Sequence, residues 1–156
     1  DVAPSRGLGD VYKRQELAKA ITNEIRRGNR IDTTTKLRNV IEKTLDFLPN
    51  NKEKKDIIKK TCQRTFQALR IDVNNEFEVL YEFMEKLPGA LKPGGRVAIL
   101  TFHSGEDKLV KKALKAGYKE GIYSEYARDV VRPSAQECAQ NGRARSTKMR
   151  WAVKAE

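Results

Sequence analysis

Apolar residues at helical spacing dominate the first part of the chain. Between Glu16 and Arg27 they fall on one face, and Thr33 or Thr34 is placed to cap a second helix. The turn residues of "LPNNKEKK" end that helix, and a further helical stretch runs towards Phe66. The pattern predicts a small, charged helical unit without strands. Its first two apolar stripes are Leu17, Ala20, Ile21 and Ile25, then Leu37, Val40, Ile41 and Leu45.

The pattern changes after Arg64 to helix, strand and helix. A helix capped by Asn74 or Asn75 carries an apolar stripe, and the turn "KPGG" then leads into "RVAILTF". The apolar residues of "RVAILTF" do not alternate with polar ones, which predicts a parallel strand covered on both faces within an α/β sheet. The stripe of the preceding helix is Phe77, Leu80, Tyr81 and Met84.

The remaining elements are predicted from caps and alternation. Ser104 with Asp107 has capping-box spacing and opens a helix that Gly117 is expected to end. "MRWAVK" near the end of the chain alternates, and we expect the face carrying Met149, Trp151 and Val153 to be the buried one. Ser134 with Glu137 predicts one more short helix.

Composition narrows the class of protein. Apolar residues make up 38% and charged residues 34% of the 156 residues, which is typical of a soluble domain, and no apolar run is long enough to span a membrane. Cys62 and Cys138 stand alone, so we expect reduced thiols of a cytoplasmic protein and no zinc site. A formal net charge of +11 favours a polyanionic partner, although an idle basic surface has the same charge.

The segment after the predicted strand, "FHSGED", is a candidate ligand site, because ligands of open α/β sheets bind beyond the strands' carboxyl ends. His103 and Ser104 are expected near a ligand; alternatively, they only shape the turn. A serine nucleophile is disfavoured because the elbow glycines are replaced by Phe102 and Glu106. His103, Glu106 and Asp107 lack a familiar ligand spacing, so no metal site is predicted.

The segment "NGRARSTKMR" carries the densest positive charge and no acid. Arginine forks and hydroxyl groups in such a loop suit phosphate contacts, so the cluster is a candidate RNA-binding surface. The alternative is an ordinary solvated loop. The basic residues concerned are Arg143, Arg145, Lys148 and Arg150.

Four segments resemble one protein family and occur in the same order as in that family. The resemblance extends from about Glu16 to Glu156. The four segments are "RTFQALRIDVNNEFEVL", "LKPGGRVAILTFHSGEDKLVKK", "RPSAQE" and "NGRARSTKMRWA". The chain is similar here to the bacterial 16S rRNA cytosine-N4 methyltransferase family, called RsmH or MraW. Gly105 stands where the family usually has Leu, and Gly142 where it usually has Pro.

The resemblance implies the carboxyl-terminal half of a class I, Rossmann-like methyltransferase sheet with part of a helical insertion domain. It implies S-adenosylmethionine as the cofactor and a decoding-region cytosine of 16S rRNA, in the small ribosomal subunit, as substrate. The chain is compatible with a homodimer. His103, Ser104, Asn74 and Glu76 are expected near the substrate or cofactor edge.

The family's main cofactor-binding and catalytic motifs precede the helical insertion. We therefore expect no cofactor-binding residue in this chain, an unidentified catalytic residue, and no activity from the chain alone. The alternative to an enzyme is a non-enzymatic basic module that binds RNA or ribosomes.

One short segment lies directly before the region that resembles the family. "DVYKRQ", residues 10–15, matches the translation of a transposon end used to prepare sequencing libraries, and the resemblance begins directly after it, at Glu16. We therefore expect residues 1–15 to be a preparation artefact. The expected organisation is then a partial helical insertion over residues 16–63 and half of a methyltransferase domain over residues 64–156.

Overall fold

A computed structural model describes the backbone of residues 5–156 and the side chains from Lys13 onward. The described part contains six α-helices, one 3₁₀ helix and three strands. In chain order these are α1 (Ser5–Arg26), α2 (Thr34–Thr44), α3 (Lys52–Asn74), α4 (Glu76–Ala90), β1 (Arg96–Thr101), α5 (Ser104–Lys119), β2 (Tyr123–Tyr126), α6 (Ala135–Gln140), the 3₁₀ helix (Gly142–Ser146) and β3 (Lys148–Lys154).

The chain divides into two compact units, one ending at Arg70 and one running from Ile71 to Glu156. The boundary expected before Arg64 lies about two turns earlier, within α3. Because α1 begins at Ser5, the predicted artefact of residues 1–15 lies partly in this helix, and residues 1–4 fall outside the described residues.

The first unit is helical, as predicted. The side chain of Thr33 caps α2 by accepting a hydrogen bond from the Lys36 backbone N–H at 3.2 Å. The predicted stripe of α2 forms the core: Ile41 is fully buried, and Leu37 and Leu45 are nearly so. Cys62 of α3 completes this core.

The second unit contains a three-stranded sheet in the order β1-β3-β2, with both outer strands antiparallel to β3. This confirms an α/β fold. The prediction of a parallel pairing for β1 is wrong within the described chain, where the strand neighbouring β1 is the antiparallel β3.

One face of the sheet is covered by helices α4 and α5. Val110 and Leu114 of α5 are fully buried against Ala152 of β3, and Met84 and Leu87 of α4 join them. The prediction for β3 was therefore wrong in its orientation: the most buried residues of the strand are Arg150 and Ala152.

β1 is covered on one face only. Val97 and Ile99 pack against the core, whereas Leu100 is 57% exposed. The expectation that both faces of this strand are covered is thus not met by the described residues. Its outer edge and outer face present backbone and apolar groups to solvent.

Gly117 lies inside α5 and does not end it. A Cβ atom built at this position would lie 2.5 Å from the ring of Tyr123, which is 3% exposed. The glycine therefore allows the helix to approach the ring closely. The turn after α5 contains Gly121 at φ +77°, a left-handed conformation that favours glycine.

Candidate functional site

Strand register brings the two predicted ligand segments to one end of the sheet. Thr101, the last residue of β1, is paired with Lys148, the first residue of β3. The Thr101 hydroxyl also donates a 3.5 Å hydrogen bond to the Lys148 carbonyl. "FHSGED" therefore begins beside the place where "NGRARST" ends, although the two segments are far apart in sequence.

His103 forms the cap of α5, one residue earlier than the predicted Ser104. Its Nδ1 accepts a hydrogen bond from the Glu106 backbone N–H at 3.4 Å, and the Glu106 carboxylate accepts one from the Phe102 N–H at 3.1 Å. The pair resembles a capping box, with an imidazole in place of the usual hydroxyl and with the return hydrogen bond coming from the N–H one residue before the cap. Ser104 is the exposed first residue of the helix.

Glu76 joins this pair from another helix. It begins α4 directly after Asn75, whose left-handed backbone (φ 50°) turns the chain between α3 and α4. One ligand atom each of Glu76, His103 and Glu106 lie within 4.8 Å of one another, and all three residues are half-buried. Asn74, the other predicted residue of this region, is the exposed last residue of α3.

Asp107 is directed away from this cluster, towards Arg150. Arg150 Nε and Nη2 donate to the two carboxylate oxygens at 2.7 and 3.2 Å, and Arg150 is 5% exposed. The hydrogen bonds from Arg150 are the main reason why the pKa of Asp107 lies below its ordinary value, and the charges of Lys148 and Lys111 lower it further.

This geometry corrects the prediction for Arg150. Its Nη1 also donates to the backbone carbonyls of Ala127 and Arg128, at 3.5 and 3.4 Å. A buried guanidinium with these partners is not available to RNA phosphates, so Arg150 holds β3 to the start of α5.

Arg143 and Arg145 remain exposed on a 3₁₀ helix that is anchored at several points. The Asn141 side chain accepts a hydrogen bond from the Arg143 backbone N–H at 3.1 Å, and Ala144 is buried. Arg132 donates through Nη2 to the Arg145 carbonyl at 3.0 Å. Among the described residues, no acidic side chain pairs with either exposed arginine.

Arg132 was missed by sequence reasoning, because a single arginine in "RPSAQE" gives no cluster signal. A backbone bridge between Val131 and Met149 places this segment beside β3. The basic surface therefore consists of Arg132, Arg143, Arg145 and the half-buried Lys148.

Comparison with known proteins identifies the family of this chain. The profile of the MraW methylase family matches residues 6–155. The chain belongs to this family.

Proteins with the name ribosomal RNA small subunit methyltransferase H are similar over most of this chain. The protein from Agathobacter rectalis is 87% identical over 91% of the chain and 40% of its own length. That from Lachnoclostridium phytofermentans is 70% identical over 90% of the chain and 38% of its own length. The protein from Alkaliphilus metalliredigens is 60% identical over 89% of the chain and 40% of its own length. The chain therefore spans about two fifths of the length of these relatives.

The turn after β1 does not form a glycine-rich cofactor loop. The helix N-terminus that follows β1 is satisfied by its own His103 and Glu106 side chains, and no glycine-rich loop joins a strand to a helix there. None of the described helices is apolar over a length that could cross a membrane.

Proposed function

We propose that this chain is the carboxyl-terminal part of an S-adenosylmethionine-dependent methyltransferase that modifies the N4 amine of a cytosine in 16S rRNA. Its own part in that activity is to bind the rRNA through the basic surface of Arg132, Arg143, Arg145 and Lys148. The observation that supports this most directly is that Arg143 and Arg145 are exposed and have no acidic partner among the described residues. Both lie on an anchored 3₁₀ helix beside the end of β1.

The physical basis is phosphate recognition. A guanidinium donates two parallel hydrogen bonds to phosphate oxygens, and a backbone fixed by Asn141 and Arg132 loses less conformational entropy on binding than a free loop. The net charge of +11 adds long-range attraction for a polyanion. Such contacts position the RNA but do not read its sequence.

The sheet supports a Rossmann-like continuation beyond this chain. β1 is an edge strand whose outer face exposes Leu100, and Phe102 just after it is 56% exposed. An edge strand that exposes apolar side chains is normally paired or covered. We propose that a strand from the remaining length of the protein pairs with β1 and that this other part holds S-adenosylmethionine.

The reacting amine needs to be held in line with the methyl donor and to lose a proton as the new bond forms. His103 and Glu76, with Ser104 and Asn74 nearby in sequence, are proposed to face the substrate edge. The proposed location is the cytoplasm, where rRNA is modified. The comparisons lend no support to a homodimer.

The test uses the complete protein, with purified small-subunit rRNA as the ligand, at several salt concentrations. Arg145→Ala should weaken RNA binding and reduce the slope of log K against log salt by about one, since one phosphate contact is lost. Lys115→Ala is the matched control, because Lys115 is exposed on α5, about 16 Å along the helix from Ser104. An equal slope in the two variants would remove Arg145 from the interface.

A second measurement separates an enzyme from a basic RNA-binding module. The source DNA should be read across the Gln15–Glu16 junction without a transposon-made library. A frame that continues upstream into a strand followed by a glycine-rich loop supports the methyltransferase. A stop codon just upstream would favour the module instead.

A further inference from the structure

We propose that Glu76, His103 and Glu106 bind one divalent first-row transition-metal ion of the Zn²⁺ type. Each residue offers one ligand atom, and these atoms lie within 4.8 Å of one another. Ligand atoms of a tetrahedral zinc ion lie about 3.4 Å from one another, since each metal–ligand bond is about 2.0–2.1 Å long. A small rotation of the side chains is therefore enough to close the site.

The His103 imidazole has an unsatisfied polar atom in this cluster. Its Nε2 is shielded from solvent and has no hydrogen-bond partner among the described residues. The Glu106 carboxylate oxygen lies 3.3 Å from Nε2, outside hydrogen-bond geometry. A buried polar atom without a partner is unfavourable, and a metal ion would supply the missing interaction.

The surroundings hold the imidazole in place for this role. The ring of Phe77 meets it edge-on, with the ring centroids 5.7 Å apart and the planes at 87°. Gly105 permits this contact, because a Cβ atom there would lie 2.8 Å from the Phe77 ring. Packing of this kind fixes the direction of a ligand before the metal arrives.

The set of donors determines the type of ion. One imidazole nitrogen with two carboxylate oxygens suits Zn²⁺ and its neighbours better than Ca²⁺ or Mg²⁺, which prefer oxygen alone. Asp107, in the same helical turn, is not a ligand, since Arg150 holds both of its oxygens. The sequence suggested no metal here because Glu76 comes from a different helix.

Metal binding would change the tautomer of His103. Its Nδ1 now accepts a hydrogen bond from the Glu106 N–H, which places the ring proton on Nε2. Coordination through Nε2 requires the proton on Nδ1 instead, so the ion replaces the long 3.4 Å cap bond. His103 is the single histidine of the chain, so its ring nitrogen signals can be assigned without ambiguity.

The test is a titration of the 156-residue chain with ZnCl₂, followed by calorimetry and by ¹⁵N NMR of the His103 ring. Cys138 is changed to Ser throughout, so that its half-buried thiol does not compete. We expect binding of one ion and a shift of the His103 proton from Nε2 to Nδ1. Unchanged His103 signals at saturating Zn²⁺ would overturn the proposal.

Two variants test the geometry. Glu76→Gln should weaken Zn²⁺ binding by at least about tenfold, because it removes a ligand without touching the cap of α5. Glu78→Gln is the control, since Glu78 is an exposed carboxylate in the same helical turn of α4. Equal Zn²⁺ affinities of the two variants would also overturn the proposal. Neither readout depends on methyl transfer, so a failure here leaves the proposed function standing.

Discussion

Removing the Arg150 guanidinium should destabilise the second unit more than any change at the basic surface. Arg150 and Asp107 have 6% and 14% of their side chains exposed, and two hydrogen bonds of 2.7 and 3.2 Å join them. Arg150→Ala leaves the Asp107 carboxylate largely buried without its main partner. It also removes the side-chain donors to the carbonyls of residues 127 and 128.

Breaking a buried ion pair by removing one partner costs about 3–5 kcal/mol. Lys148 and Lys111 are close enough to lower the pKa of Asp107, so they partly compensate the carboxylate once the arginine is gone. We therefore expect Arg150→Ala to lower the free energy of unfolding by about 3 kcal/mol, near the lower end of this range. That is a large fraction of the roughly 5–15 kcal/mol that stabilises a typical domain.

The assay is urea unfolding of the chain, followed by the fluorescence of Trp151, the single tryptophan, which lies in β3 beside Arg150. Measuring the transition midpoints at several protein concentrations separates unfolding from self-association of the chain. Arg143→Ala is the control: this arginine is exposed, so the change should stay within about 0.5 kcal/mol. If Arg150→Ala costs no more than this control, the ion pair does not stabilise the sheet.

Three further predictions follow from the same structure. The pKa of Asp107 lies below its ordinary value of 3.8, so its contribution to stability is present above pH 3.8 and is lost as the pH falls through the lowered pKa. The urea midpoint should therefore decrease over that acidic range, and Asp107→Asn should make this decrease smaller. Gly117→Ala should cost about 1–3 kcal/mol in urea unfolding by crowding Tyr123, whereas Gly142→Ala, with open space around it, should cost much less. Leu100→Lys should reduce self-association of the chain in light scattering at little cost in stability, because this side chain is 57% exposed on the open sheet face.

Periodicity predicted the helical unit well because a helix buries one face at a fixed spacing. Leu37, Ile41 and Leu45 line the core as their spacing requires. The same reasoning assigned the wrong face of β3, since alternation alone favoured the larger apolar side chains over Arg150 and Ala152. Arg150 is buried because of a carboxylate 43 residues away, and such a long-range pairing leaves no trace in local alternation.

The apolar pattern of β1 correctly predicted a strand, but the prediction that both faces of this strand are covered is not met by the described residues. A run such as "RVAILTF" reflects burial in the whole protein, whereas the described chain covers only Val97 and Ile99 on one face. The relatives are more than twice as long as this chain, so the uncovered Leu100 is consistent with a neighbour supplied by the remaining length. The disagreement between pattern and structure thus locates the face where that neighbour is proposed to pack.

At the candidate site, the sequence indicated the individual segments but not that they lie close together in the fold. "FHSGED" and the basic cluster were each recognisable, and only the pairing of Thr101 with Lys148 shows that they share one end of the sheet. Glu76 reaches His103 from another helix, a contact that no spacing rule predicts. His103 was expected to lie near a ligand or merely to shape the turn. The structure instead places the carboxylates of Glu76 and Glu106 around a ring nitrogen of His103 that has no hydrogen-bond partner among the described residues, which is the arrangement from which we infer a metal site.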